Sequence, residues 1–222
     1  MRYRILVVLG LLAGLVSGCA QKGGATASAH HDPSSFESVK EPPINANTHF
    51  AAGQLAESHE NYAVAIAQYK DALAEQPSLD IAMFRLGYVY AETKQYPQAI
   101  ETWKRYVKAT NGSAAAYSNL AFCEELAGNP GAAETDYQKG ITVDPKNQAC
   151  RVNYGLMLAR HNRMNEAMIQ LQSVLSPAEV HYNLAGVYAT QGRKALAKAE
   201  YQKAFELDPN LLDAKTRLAQ LN

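Results

Sequence analysis

The chain has 222 residues, 47% of them hydrophobic, and its 21 Lys and Arg are balanced by 21 Asp and Glu. That balance lacks the basic excess with which nucleic-acid binders meet a phosphate backbone, so nucleic acid is excluded as a partner. The length would permit one globular core, but a pattern recurring about every 34 residues from Ala46 to Leu211 assigns the core to stacked neighbouring units.

In chain order, Arg2 and Arg4, an apolar run from Ile5 to Val16, and the small residues Ser17 and Gly18 read as a secretory leader, residues 1–18. The run is about a dozen residues, short of the roughly 20 that a membrane span needs. Val16-Ser17-Gly18-Cys19 resembles a bacterial lipobox. The resemblance implies cleavage before Cys19 and acylation of Cys19, and more than one acyl chain would hold the protein stably on a membrane of the cell envelope. Ala20 in place of Asp resembles lipoproteins sorted to an outer membrane, facing the periplasm. Loss of the leader leaves 19 basic and 21 acidic residues. Residues 19–45 hold the acylated Cys and a stretch of Gly, Ala, Ser, His and Pro that buries too little to fold. They read as a tether, spanning roughly 25–30 Å as a flexible coil. His30-His31-Asp32 lacks the fixed geometry of a metal site there, and no metal or other cofactor is expected.

The repeating units run 46–79, 80–113, 114–147, 148–177 and 178–211, with 212–222 left over. Position 8 of each unit is small, as at Gly53, Gly87, Ala121, Gly155 and Ala185. Position 20 is Ala65, Ala99, Ala133, Ala167 or Ala197, and position 24 is the large Tyr69, Trp103, Tyr137, Leu171 or Tyr201. Pro77, Pro145 and Pro209 occupy position 32, where the second unit has Asn111. Small residues at 8 and 20 let two helices approach, and large ones fill the space between units. This packing pattern resembles the tetratricopeptide repeat (TPR). The resemblance implies an all-α superhelical solenoid of five helix-turn-helix repeats, capped at its C-terminal end by one helix from 212 to 222. The fourth unit is four residues short, a deletion expected in the loop after its second helix with both helices intact. Ser176-Pro177-Ala178-Glu179 reads there as an N-cap, Pro at the first turn and a capping box.

In the tetratricopeptide-repeat family, positions 2, 5, 6, 9, 12 and 13 of the first helices line a groove. Position 6 reads Ala51, Arg85, Asn119, Asn153, Asn183 and Arg217: three Asn in succession with an Arg beyond each end. An Asn amide pairs with both the N–H and the C=O of a peptide whatever its side chains, and the row resembles the asparagine ladders that hold extended segments. The same Asn residues would also serve as ordinary polar surface in this family. Three rungs at roughly 0.5–1.5 kcal/mol each fall short of the roughly 8 kcal/mol of micromolar binding. Aromatic burial is expected to supply the rest, from Phe50, Phe84, Tyr88, Phe122 and Tyr182 at positions 5 and 9, unless these rings pack between units instead.

Other chemistry is not expected. Cys123 and Cys150 fall at positions 10 and 3 of adjacent first helices, about 10 Å apart in rise, beyond a disulfide's reach. His49, His59, His161 and His181 are scattered without a nucleophile or carboxylate at a recurring spacing, so no catalysis or small-molecule substrate is expected. Ser118, Phe122, Val152 and Leu156 stand where chaperone-binding relatives carry a carboxylate clamp. The function expected is a lipid-anchored envelope scaffold that binds a protein or peptide segment, resembling TPR lipoproteins of pilus, secretion-pore and cell-wall assembly. The alternative is a structural or self-associating envelope protein whose groove is unoccupied.

Overall fold

A computed structural model describes residues 44–221. The leader, Cys19 and nearly all of the tether, with His30-His31-Asp32, lie outside the described residues. Those described form eleven helices and no strand: α1 (Ala46–Ser58), α2 (Tyr62–Glu75), α3 (Asp80–Glu92), α4 (Tyr96–Ala109), α5 (Ala114–Leu126), α6 (Pro130–Val143), α7 (Gln148–Arg160), α8 (Met164–Gln172), α9 (Pro177–Thr190), α10 (Lys194–Leu207) and α11 (Leu212–Gln220). Each consecutive pair from α1–α2 to α9–α10 is a hairpin, and each hairpin packs on the next, with α11 against α10. The expected five hairpins and a final helix are present. None of the described helices is long and apolar enough to cross a membrane.

Local chemistry sets the helix ends. Asn45 caps α1 in a reciprocal capping box with Thr48, and Ser113 and Asn147 cap α5 and α7 through their side chains, each satisfying orphan N–H groups. Inside every hairpin the turn passes through one residue with a left-handed backbone, always at position 15: Glu60, Lys94, Gly128, Asn162 and Gly192, with φ from 56° to 83°. The N–H that follows reaches five residues back, as in Gln95 to Tyr90 O at 2.8 Å and Asn129 to Glu124 O at 2.9 Å. This is the helix-ending turn that favours Gly. Asn111, in place of Pro, is likewise left-handed at φ 51°, and Gly112 follows at 73°. Two such residues turn the chain where a Pro does so in other units.

The packing positions behave as the pattern requires. The five Ala at position 20 are fully buried. A Cβ added to Gly53 would lie 2.5 Å from the Tyr69 ring, and one on Gly87 would lie 2.7 Å from Trp103, so in the first two units hydrogen at position 8 is what admits the ring at position 24. In the first, fourth and fifth hairpins a polar rung joins positions 4 and 23: His49 with Gln68 at 2.9 Å, Arg151 with Gln170 at 2.7 Å, and His181 with Glu200 at 2.6 Å.

The deletion in the fourth unit falls elsewhere than expected. Helix α8 has 9 residues against 14 in α2, α4, α6 and α10, so the shortening comes out of the second helix itself. The reason lies in Ser176, whose hydroxyl accepts from Glu179 N–H while the Glu179 carboxylate accepts from Ser176 N–H at 2.8 Å. That cap commits the chain to α9 and forces α8 to stop first.

Two features break the apolar pattern. Position 10 is buried in units two to five, at Val89, Cys123, Met157 and Val187, but Leu55 in the first unit is 62% exposed, because no hairpin among the described residues precedes it. At position 11, bulky and apolar in Tyr90, Leu158 and Tyr188, the third unit has Glu124. This carboxyl is 6% exposed beside the equally buried Asp136 of α6. Lys139 pairs with Asp136 at 2.6 Å, and Lys104 of α4 also faces the pair. Burial, then the charge of Asp136, pushes the Glu124 carboxyl up to about 7.

Candidate functional site

The first helices of successive hairpins lie side by side, α5 directly on α7 and α7 on α9, and side chains at the expected groove positions bridge them. Arg85 Nη1 pairs with Glu57 at 3.2 Å, joining α3 to α1. Glu57 also accepts the Tyr69 hydroxyl at 2.6 Å. Asn153 Nδ2 donates to the buried Ser118 Oγ at 3.2 Å, and Arg160 grips Glu125 with two bonds of 2.7 Å, both joining α7 to α5. Gln191, just past α9, donates to Arg160 O at 3.2 Å.

The three Asn of position 6 have different surroundings. Asn183 donates to Glu179 O of its own helix at 2.8 Å, and Asn153 is committed to Ser118. Asn119 makes no side-chain hydrogen bond among the described residues, and it lies on the wall of a cleft. Asn153 and Asn183 each keep an acceptor oxygen and a second N–H by the valence of the amide. At the ends of the row, Arg85 is held by Glu57, and Arg217 is exposed, its guanidinium 3.5 Å from Gln220.

The aromatic residues divide by position. Those at position 5 pack on the second helix of their own hairpin: Phe50 on Tyr69 at 5.7 Å, Phe84 edge-on to Trp103 at 5.4 Å and to Tyr106 at 5.7 Å, and Tyr182 on Tyr201 at 5.5 Å. Those at position 9, Tyr88 of α3 and Phe122 of α5, both line a cleft between these helices, which Phe84, Trp103, Glu92 and Asn119 also line. Four of the residues named from sequence, Phe84, Tyr88, Asn119 and Phe122, thus meet at one place. Tyr182, Asn183 and Arg217 belong to the far end of the stack.

Glu92, at position 13, was not among the residues expected at the site. Burial raises its carboxyl above the ordinary range and the neighbouring Glu57 charge adds to this, while a hydrogen bond from Tyr88 opposes both. Tyr88 is pushed up to about 12, by burial and then by Glu92. No cation pairs with Glu92 among the described residues. The Trp103 Nε1 is buried without a well-formed hydrogen bond, and the Cys123 thiol is its neighbour.

Cys123 and Cys150 are free and buried, and burial pushes both thiols up to about 12. No group of three His, Cys, Asp or Glu among the described residues is placed to hold a metal.

Segments of the chain match the tetratricopeptide-repeat family at residues 50–114 and 178–211. A general transcriptional corepressor, ssn6, of Schizosaccharomyces pombe is 25% identical over 62% of the chain, which spans only 13% of that relative's length. Among solved structures, YrrB, a TPR protein with an unusual peptide-binding site, superposes with a TM-score of 0.53 at 21% identity over 78% of this chain and 91% of its own. The pilF protein of Pseudomonas aeruginosa superposes with a TM-score of 0.56 at 15% identity over 79% of this chain and 82% of its own.

Proposed function

We propose that this chain, a tetratricopeptide-repeat solenoid and so a scaffold for protein–protein interaction, holds an extended segment of a partner protein along the face of its first helices. The observation that carries the reading is the aromatic cleft lined by Phe84, Tyr88 and Phe122 with Asn119 on its wall, the same position being Asn153 and Asn183 in the next two units. Amides that serve any sequence and rings that supply apolar burial are complementary parts of a peptide site. The peptide site named for YrrB lends support by likeness of fold alone. The reading is of a binding protein.

We further propose that the scaffold is lipid-anchored through Cys19 in a bacterial envelope, at the outer membrane where there are two. The support is the sequence Val16-Ser17-Gly18-Cys19 behind an apolar leader. Metabolic labelling with a fatty-acid analogue tests this, with loss of label expected in Cys19→Ala and persistent label refuting it. Cross-linking in membranes tests the groove. Changing Asn119, Asn153 and Asn183 together to Ala is expected to remove one dominant adduct, and an unchanged pattern would sink the ladder.

A further inference from the structure

Resting on the peptide-site reading above, we propose that the cleft between α3 and α5 is where the partner is recognised, and that the segment it takes carries an aromatic or branched aliphatic side chain next to a Lys or Arg. Three observations converge on this chemistry.

The first is the way the junctions are fastened. Arg85–Glu57 joins α1 to α3, Asn153–Ser118 and Arg160–Glu125 join α5 to α7, and Gln191 ties α9 to α7. Between α3 and α5, by contrast, no side-chain hydrogen bond or ion pair crosses among the described residues, and α3 reaches its neighbour chiefly through α4. The cleft sits at this unfastened junction. Its free volume is about 20 Å³, room for about one water, so a side chain enters by parting Tyr88 and Phe122. A junction without polar cross-links permits that at the least cost.

The second is the polar inventory. The Asn119 amide, on the cleft wall, makes no side-chain hydrogen bond among the described residues, and it can serve both a carbonyl and an N–H of a peptide backbone beside the apolar side chain, whereas Trp103 Nε1 is buried against the Cys123 thiol. The third is charge. Arg85 is consumed by Glu57, leaving Glu92 as the charge at the cleft, with a Tyr88 hydroxyl and no cation as partner. A cation on the ligand completes it, whereas an acidic neighbour would be repelled by Glu92.

The test is phage display of random extended peptides on the full chain, repeated on Glu92→Lys and Phe122→Ala, with thermal melting by circular dichroism to confirm that both variants fold. Wild type is expected to enrich apolar–basic pairs. Glu92→Lys is expected to enrich apolar–acidic pairs, and Phe122→Ala to lose the apolar preference. In fluorescence anisotropy the peptide selected on wild type should bind each variant at least about tenfold more weakly, or about 1.4 kcal/mol. Enriched peptides without an apolar–basic pair, or with one that Glu92→Lys leaves unchanged, would overturn this assignment and leave the peptide site standing. No enrichment above the uncoated support would overturn both.

Discussion

Glu124 makes the stability of this solenoid depend on pH, and replacing it with Gln isolates the effect. In the unfolded chain its carboxyl has the ordinary value of 4.5, and in the folded chain burial and Asp136 raise it to about 7. The folded state therefore binds the proton more tightly. Stability from this group is full below about pH 4.5, declines as the pH rises, and is gone above about 7. At about 1.4 kcal/mol per pK unit, the loss approaches roughly 3 kcal/mol, a figure that already includes the relief given by Lys104 and Lys139. Glu124→Gln keeps the shape and a hydrogen-bond donor toward Asp136 but cannot ionise. Urea unfolding followed by far-UV circular dichroism should find the variant more stable than wild type by about 2–3 kcal/mol at about pH 8.5, with the advantage shrinking toward zero near about pH 4.5. Parallel pH profiles for the two proteins would refute the reasoning.

The left-handed turn at position 15 gives a paired prediction. Lys94→Gly should stabilise by up to about 1 kcal/mol, since an L-residue in that region costs about 1–2 kcal/mol and glycine's unfolded-state entropy returns part of the gain. Gly128→Ala should destabilise by about 1 kcal/mol although a Cβ there would meet nothing within 4 Å, because the strain is in the backbone; melting temperatures that move together in the two variants would contradict this. Cys123 and Cys150 should resist Ellman's reagent in the folded protein and react on unfolding, since burial keeps both thiols protonated, and rapid labelling of native protein would show that one is accessible.

The solenoid was legible because its code is steric and repeats. Gly87 against Trp103 and Gly53 against Tyr69 are short-range fits that the spacing of 8 and 24 announces directly. The length of α8 was not legible in the same way. A deletion shows how many residues are gone, but which element yields them depends on competition between a helix end and the Ser176 cap. At the candidate site, position 6 was read in register, yet Asn119, Asn153 and Asn183 look identical in sequence and differ in partners across the stack. Glu92 stands at position 13, one of the groove positions, but was missed because only position 6 and the rings were followed there; its burial against Tyr88 is visible only in the packing. Glu124 carried a signal that could have been used, an acid at a position where the other four units have Ala56, Tyr90, Leu158 and Tyr188.

The ion pair between Glu57 and Arg85 couples the end of the stack to its middle. In a linear array each unit is held by its neighbours, and the first hairpin, with Leu55 facing outward, has only one among the described residues. The Glu57–Arg85 pair is therefore one of the few polar ties that keep α1 in register with the rest of the stack.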